Sequence, residues 1–470
     1  MHDAPDTTTT QADLAAAFWA ACHGAPDMLS QLRFDGQGLL RSGFAVDAFA
    51  SASIAAAGLA VASLRRCMDG SSANAPAVVV DRRLTSLWFG MSIRPQGWKL
   101  PPVWDAIAGD YQARDGWIRL HTNAAHHRAA ALAVLQTPAQ RDAVAAAVAT
   151  WDADALESAV IAQGGCAGAM RSWQDWQQHP QGQAVLHEPL LHWQTGMQAS
   201  ESGWAFDTHH PLAGIRVLDM TRILAGPVAT RLLTSLGAEV LRIDPPQWDE
   251  PLLEPEITPG KRCARLDLRQ PHERAVWEDL LQGADVLVHG LRSDALDAMG
   301  MGAARRQQLR PGLIDVSLDA YGFTGPWKAR RGFDSIVQMS MGFAEQAQRS
   351  AGADKPVSLP VPALDHATGY LMAAATIRAL ELRMASGHGS IVRASLARTG
   401  ALLMGAAMQT RAPAQPALPE SPSDWADDVE ETPWGRARRV RWPLHVDGVV
   451  MGWRTPATTL GSSPAAWAPR

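Results

Sequence analysis

The residue best suited to chemistry is Asp365, which follows Pro360-Val361-Pro362 and precedes a stretch predicted to be a helix from His366 to about Ala385. Aspartate is among the preferred N-cap residues, so this carboxylate can simply cap the helix. The same position also suits catalysis, because the positive end of the helix dipole favours an ionised carboxylate. Such a carboxylate can attack an activated acyl group while nearby backbone N–H groups stabilise the oxyanion. Asp365 is therefore predicted to be a helix cap or a nucleophile.

Most familiar catalytic motifs are missing from the sequence. There is no G-x-S-x-G elbow, Walker loop, H-E-x-x-H or complete G-x-G-x-x-G. The segment GMGAAR (300–305) has two of the three glycines but follows a turn, which indicates a loop. His121, His126 and His127 lie close together, yet no two are four residues apart. We therefore interpret them as solvated histidines near a helix end and not as a metal site.

Composition excludes several classes of protein. The 42 basic and 47 acidic residues give a formal charge of −5, so we expect no nucleic-acid partner. The four cysteines are far apart in sequence and form no C-x-x-C motif. This spacing argues against a disulfide framework and a zinc site, and it is typical of a protein in a reducing compartment. The start of the chain lacks an export signal. The longest apolar run, Ala48 to Leu64, is short for a bilayer span and predicts a buried helix. We expect a cytoplasmic protein with no membrane partner.

The middle of the chain alternates strands with helices. Strands are predicted over 214–220, 238–244, 285–290 and 312–318, and helices over 225–236, 270–284 and 303–309. This alternation predicts an α/β fold with an open parallel sheet. Ligands of such sheets bind beyond the carboxyl ends of the strands, here after Met220, Asp244, His289 and Leu318.

A weak internal repeat relates two alanine-rich segments. Residues 45–66 are similar to residues 363–384, which places Asp47 opposite Asp365 at an offset of 318 positions. Each copy is followed by a glycine and then by an apolar run typical of a strand. Alanine-rich helices match each other readily, so duplication and coincidence both remain open. We interpret Asp47 as structural.

The chain divides into five predicted segments. They are a helical segment with the possible degenerate repeat (1–104), a segment that only the family resemblance given below identifies as a small α+β domain (105–200), an α/β domain with Asp365 (211–410), a linker rich in proline and acidic residues (411–430) and a C-terminal tail with one strand-like piece, WPLHVDGVVMGW (431–470).

Seven motifs occur in order within residues 211–400. They are PLAGIRVLDMTRILAGPVAT, LGAEVLRIDPP, GKRCARLDL, ADVLVHGLRSDALDAMGM, LRPGLIDVSLDAYGFTGPW, RRGFDSIVQMSMG and LDHATGYLMAAATIRALE. The set resembles the class III CoA-transferase family, which includes formyl-CoA and carnitine-CoA transferases and has α-methylacyl-CoA racemase as a relative. Two further segments, GDYQARDGWIRLHTN and GGCAGAMRSWQDWQQHPQ, resemble the smaller domain of that family.

The resemblance implies an open parallel-sheet (Rossmann-like) CoA-binding domain plus a smaller α+β domain. It implies a transferase that moves CoA between an acyl-CoA and a carboxylic acid, with Asp365 carrying the acyl group through anhydride and aspartyl-thioester intermediates. CoA is then a substrate, no metal or other cofactor is needed, and the protein is expected to be a homodimer. The family's CoA contacts correspond to Leu224, Ala225, Leu266, Arg269, Gly290, Leu291 and Arg331. Of these, Arg269 and Arg331 can bind phosphate through charge-assisted hydrogen bonds.

The sequence also departs from the family pattern. The small-domain-like stretch precedes the α/β domain instead of following it, and no counterpart of a glycine-rich active-site loop occurs around MSIRPQGWKLPPVW. Gly290-Leu291 replaces a frequent Asn-Phe, and Pro245 and Ala298 replace arginines of some members. A degenerate CoA-binding protein without activity is therefore one alternative. An acyl-CoA racemase is another, although Phe333 stands where that branch has a histidine.

Overall fold

The chain folds into four consecutive groups of helices and strands, and a computed structural model describes residues 10–70, 75–199, 204, 207–292, 295–406 and 419–469. The first group comprises α1 (Gln11–Ala21), β1 (Leu32–Asp35), α2 (Val46–Asp69), β2 (Val78–Asp81), α3 (Arg82–Trp88) and β3 (Ile93–Pro95). The second comprises β4 (Gly109–Gln112), β5 (Trp117–Leu120), α4 (Ala125–Leu135), α5 (Arg141–Val148), α6 (Ala153–Ala162), β6 (Ala167–Ala169), α7 (Trp173–Gln178), α8 (Pro180–His187) and β7 (His192–Gln198).

The third group contains most of the central sheet. It comprises β8 (Arg216–Met220), α9 (Ala225–Ser235), β9 (Glu239–Asp244), α10 (Glu254–Ile257), β10 (Lys261–Arg265), α11 (Pro271–Gln282), β11 (Val286–His289), α12 (Ala295–Ala298), α13 (Ala303–Leu309), β12 (Ile314–Asp319), α14 (Asp334–Met341), α15 (Phe343–Ala351), α16 (Ala363–Ser386), β13 (His388–Ser395) and α17 (Leu396–Gly405). The fourth comprises β14 (Glu430–Thr432), β15 (Gly435–Arg439) and β16 (Leu444–Val446).

The predicted parallel sheet is present at the centre of the protein. Seven strands lie in the order β10-β9-β8-β11-β12-β13-β7. All neighbouring pairs are parallel except β13 and β7, which are antiparallel at one edge. The inner strands are rich in valine, leucine and isoleucine and are buried on both faces, as expected for a sheet covered by helices. The α/β prediction is confirmed, and its four strands agree with β8, β9, β11 and β12 to within two residues at each end.

The two segments of the internal repeat form the long helices α2 and α16, which pack against each other. By length and composition α2 is able to cross a membrane, but 94% of its most apolar stretch is buried inside the protein. The prediction of a buried helix is therefore confirmed. Ser63 on α2 donates a 3.1 Å hydrogen bond to Glu381 on α16, and these residues are also 318 positions apart. Corresponding positions of the repeat thus meet where the two helices cross.

The smaller α+β unit has a core of its own. Strands β4, β5 and β6 form a three-stranded antiparallel sheet. Ile118 and Leu120 of β5 pack with Val144 of α5 and Leu156 of α6. This unit lies against the carboxyl ends of the central strands, and the contact includes an ion pair of 2.8 Å between Glu157 and Arg330.

The two ends of the chain pair with each other. Strand β16 lies antiparallel to β2, and β15 lies antiparallel to β3. The sequence pattern showed only one strand-like piece after residue 430, because β14 and the arginine-rich β15 lack apolar alternation. Within the predicted linker, residues 411–418 lie outside the described residues, whereas Glu420 forms a 2.5 Å ion pair with Arg94. The domain boundaries themselves stay predictions.

Candidate active site

A cavity of about 280 Å³ lies between the central sheet and the small α+β unit. The segments that follow β8, β9, β11 and β12 all contribute to its wall, through residues 221–225, Trp248, 290–292 and 318–320. These are the segments at which the sequence analysis expects a ligand; the cavity lies there, and the binding of a ligand stays a prediction. The remaining wall residues are His126 and His127 from the small unit, Lys328, residues 330–333, Ala295, Asp365 and Leu396.

Asp365 lies in this wall, but it is not a helix cap. Helix α16 begins at Ala363 with Pro362 at the N-cap, so Asp365 is the third helical residue and the predicted start at His366 is wrong. The carboxylate of Asp334 performs the capping instead, accepting hydrogen bonds from the backbone N–H groups of Leu364 (2.8 Å) and Asp365 (3.0 Å). Within the described part of the chain, no donor is hydrogen-bonded to the Asp365 carboxylate. Its side chain is thus left available to the cavity.

Asp334 and Asp365 form a buried pair of carboxyls. Burial raises the pKa of Asp365 well above its ordinary value, and the nearby charge of Asp334 raises it further. Burial also raises the pKa of Asp334, to about 6, although hydrogen bonds from Asp365, Gln338 and Leu364 oppose the shift. These shifts oppose the effect expected of the helix dipole, because desolvation and a like charge act against the ionised form of Asp365. Both carboxyls thus hold a proton more readily than an ordinary aspartate.

The loop that joins β8 to α9 is held in an unusual conformation. Ile223 has a φ of 65°, in the left-handed region that β-branched residues rarely adopt. Its N–H donates a 2.7 Å hydrogen bond to Glu250, whose other oxygen accepts from Arg242 at 2.9 Å. Such strain costs about 1–3 kcal/mol and is concentrated at functional sites. Here it directs Leu224 and Ala225 toward the cavity at the start of α9.

Five of the seven residues predicted to contact CoA line the cavity, and two do not. The five are Leu224, Ala225, Gly290, Leu291 and Arg331. Leu266 is buried in an apolar cluster that includes Leu268 and Trp277. Arg269 is exposed and forms a 2.8 Å ion pair with Asp267. Both follow the edge strand β10, whose end contributes no residue to the wall. The role of the seven in binding CoA stays a prediction.

Cationic side chains are concentrated in the wall. They are Arg222, Arg292, Lys328, Arg330 and Arg331, of which the sequence singled out only the last. The two carboxyls of the wall are Asp319 and Asp365, and burial raises the pKa of both well above their ordinary values. The wall therefore has a positive charge at neutral pH, and this charge favours an anionic ligand.

The interpretation of the histidines as solvated is wrong for His121 and His127, which are buried, whereas His126 is exposed. Burial lowers the pKa of both His121 and His127 to about 3, and His121 stacks on Phe333 with 3.9 Å between the ring centres. His126 and His127 border the cavity from the first turn of α4. His366 is also buried, and its ring stacks on that of Phe89 with 4.8 Å between the ring centres. It does not line the cavity. The spacing of residues along α4 could not show these contacts, because residues about 200 positions later cover the helix.

Other candidate groups lie outside the site. Asp47 accepts hydrogen bonds from the backbone of Leu40 (2.9 Å) and the hydroxyl of Ser86 (2.8 Å), which fits the structural role expected of it. All four cysteines are free. Among the residues that the structure describes, no group of three or more histidine, cysteine, aspartate or glutamate side chains is arranged to hold a metal ion.

Comparison with known proteins supports the resemblance found in the sequence. Residues 212–426 match the model of CoA-transferase family III, so the resemblance of the motifs to that family is confirmed. Succinyl-CoA:glutarate CoA-transferase of Mus musculus is 31% identical over 203 residues, which are 40% of this chain and 46% of the mouse protein. Succinate–glutarate CoA-transferase of Agrobacterium fabrum is 31% identical over 205 residues, 40% of this chain and 51% of that protein.

Among solved structures, the hypothetical protein Rv3272 of Mycobacterium tuberculosis is 30% identical. The match covers 41% of this chain and 56% of that one, with a TM-score of 0.38. The chain spans about half the length of the curated relatives that it matches.

Proposed function

We propose that this protein transfers CoA from an acyl-CoA to a carboxylic acid and that Asp365 is the nucleophile. The observation that carries the proposal is the position of the Asp365 carboxyl, which lies without a hydrogen-bond donor in the wall of a cation-lined cavity at the strand ends. The matching relatives named above are CoA-transferases, and the five wall residues Leu224, Ala225, Gly290, Leu291 and Arg331 correspond to the family's CoA contacts. The positive wall suits both the phosphates of CoA and the carboxylate of an acceptor.

The proposed chemistry proceeds by exchange at acyl carbons. The ionised carboxylate of Asp365 attacks the thioester carbonyl, the C–S bond breaks, and a mixed anhydride and the CoA thiolate result. The thiolate then attacks the aspartyl carbonyl, which releases the first acid and leaves an aspartyl thioester. The acceptor carboxylate then attacks the aspartyl thioester, which releases the CoA thiolate and forms a second mixed anhydride. The thiolate attacks the acceptor's carbonyl in this anhydride, which gives the new acyl-CoA and restores the carboxylate of Asp365. Asp365 must lose its proton before the first attack, so activity is expected to rise with pH.

Asp365→Ala should abolish transfer, a loss of at least about 1,000-fold, while the protein remains folded, because no other wall carboxyl occupies that position. The measurement is acyl-CoA formation with succinyl-CoA as donor and with glutarate or a long-chain fatty acid as acceptor. Hydroxylamine should trap the acyl-enzyme in the wild type, and mass spectrometry should find the label on the peptide that contains Asp365.

The control is Asp47→Asn, which changes the corresponding carboxyl of the repeat outside the cavity and should retain full activity. If the Asp365→Ala variant still transfers CoA, Asp365 is not the nucleophile. Binding of acyl-CoA without turnover over a broad panel of acids instead identifies the alternative, a CoA-binding protein without activity.

The structure gives less support to a racemase. Racemisation needs a second acid–base group opposite Asp365, but Phe333 occupies the expected position and His366 lies outside the wall. His127 borders the cavity, yet its pKa of about 3 makes it a weak base. We therefore expect no deuterium exchange at the α-carbon of a bound acyl-CoA.

A further inference from the structure

One side chain of the cavity wall has a hydrogen-bonding deficit that the fold does not explain. His127 is 3% exposed, and neither of its ring nitrogens has a hydrogen-bond partner in the described structure. Buried polar groups are almost always paired, because an unpaired buried donor or acceptor costs its full desolvation free energy. A histidine that served only to fill space here would be less favourable than a phenylalanine of similar shape.

The surroundings of His127 indicate what would satisfy it. Its ring packs edge-on against Phe333, with 5.8 Å between the ring centres, and borders the cavity that Asp365 also lines. Two other side chains of the same wall, Arg222 and Arg330, each have a buried Nε without a hydrogen-bond partner, although their guanidinium groups form ion pairs with Asp244 (3.9 Å) and Glu157 (2.8 Å). Three side chains of one wall thus have a nitrogen without a hydrogen-bond partner. An anionic oxygen in the cavity is an acceptor of the kind that such nitrogens lack.

We propose that His127 is a ligand-binding residue, whose neutral imidazole donates a hydrogen bond to a carboxylate oxygen of the acid bound in this cavity. This inference rests on the proposed function, since it assigns part of the recognition of the acid to the small α+β unit. A neutral imidazole suits the task, because it always carries one N–H donor and is not repelled by the arginines of the wall. Specificity for the acid is then set partly by α4 and not by the sheet alone.

The test compares the binding of glutarate and of CoA to the full-length protein by isothermal titration calorimetry. His127→Phe should weaken glutarate binding by about 10- to 100-fold, the range for loss of a hydrogen bond to a charged group. CoA binding should stay within about threefold of the wild type. His127→Gln, which restores an N–H donor, should recover most of the affinity for glutarate. The control is His121→Phe, which replaces a neighbouring buried imidazole outside the wall and should leave both affinities unchanged.

Thermal unfolding of the ligand-free protein provides an independent readout. His127→Phe should unfold at the same or a higher temperature than the wild type, because the substitution removes an unpaired buried group. A purely structural histidine would show the opposite result, with a lower unfolding temperature and unchanged glutarate binding. That result overturns the inference. The inference is also overturned if the wild type does not bind glutarate. A loss of CoA affinity in His127→Phe overturns it as well, because the imidazole would then bind a phosphate of CoA and not the acid.

The labelling of Asp365 separates this inference from the proposed function. If the wild type forms no acyl-enzyme but His127→Phe still weakens glutarate binding, the function is wrong and the role of His127 stands. If acyl-enzyme and transfer are normal but glutarate binds equally to the wild type and to His127→Phe, the function stands and the role of His127 is wrong.

Discussion

At the scale of single residues, the distinctive feature of this site is the pair of buried carboxyls, Asp334 and Asp365. Asp334 accepts hydrogen bonds from two N–H groups of the first turn of α16, which favours its ionised form. Asp365 has no such donor, and its pKa is raised by burial and by the charge of Asp334. The carboxyl proposed as the nucleophile is therefore the one whose ionised form has no hydrogen bond to favour it.

Asp334→Asn should shift the acidic limb of the pH–activity profile to lower pH by about 1 unit. The substitution removes a negative charge next to Asp365 and so lowers the pKa of the nucleophile, while the asparagine oxygen still accepts a hydrogen bond from the helix. The measurement is kcat/KM for CoA transfer between pH 5 and 9. Asp47→Asn is the matched control and should leave the limb in place. An unchanged limb in Asp334→Asn would mean that burial alone sets the pKa of Asp365.

The sequence predicted Asp365 but not its partners, for a physical reason. Asp365 was recognisable because its neighbours in sequence, a Pro-Val-Pro segment and an alanine-rich helix, are also its neighbours in space. Asp334 and His127 lie about 30 and 240 positions away and reach the site only through packing of other elements. Local periodicity also gave the wrong environment for His127, because the Phe333 ring that helps to bury it comes from the other unit.

At the scale of elements, the site depends on the close contact between α9 and α16. Gly369 lies on α16 where an added Cβ would be 2.4 Å from the carbonyl oxygen of Ala225 and 2.9 Å from Val228. Only glycine permits this approach, and Ala225 is itself a residue of the cavity wall. The distance between the two helices thus sets the position of the β8–α9 loop relative to Asp365.

Gly369→Ala should destabilise the protein by about 1–3 kcal/mol, the usual cost of an overpacked interior. It should also lower kcat/KM by up to about 100-fold, because a displacement of roughly 1 Å at a site has effects of this size. Chemical denaturation and the transfer assay measure the two effects. The control is Gly405→Ala at the end of α17, where an added Cβ has nothing within 4 Å and both properties should be retained. Unchanged stability and activity in Gly369→Ala would show that the contact does not position the loop.

The elements themselves were predictable to different degrees. Strands β8, β9, β11 and β12 are short and rich in valine, leucine and isoleucine, a composition typical of strands buried on both faces. The buried charged residues Asp219, Arg242 and Asp315 interrupt three of them. The sheet edge was harder to predict. Strand β7 has mostly exposed or half-buried residues, HWQTGMQ, so no alternation of apolar and polar residues marks it. Strand β15, GRARR, is stabilised by its pairing with β3 and by ion pairs of its arginines.

At the scale of the whole molecule, one buried carboxylate joins three distant parts of the chain. Glu256 accepts hydrogen bonds of 3.0 Å from the backbone N–H groups of Ser92 and Ile93 in the N-terminal segment. It also pairs with Arg231 of α9 and, at 3.3 Å, with Arg439 of β15. The chain ends are therefore fixed to the α/β core by charge as well as by the pairing of β3 with β15.

Glu256→Gln should lower the free energy of unfolding by about 3–5 kcal/mol, because it leaves the buried guanidinium of Arg231 without its counter-charge and removes one of the two carboxylate partners of Arg439. Urea denaturation at pH 7 measures this loss. The comparison is Asp35→Asn, which breaks an ion pair whose side chains are 69% and 47% exposed and should change stability by less than about 1 kcal/mol. If the chain ends were attached only by strand pairing, both variants would unfold at nearly the same urea concentration. A large difference between them instead shows that the Glu256 cluster joins the N-terminal segment, the α/β core and β15 into one cooperative unit.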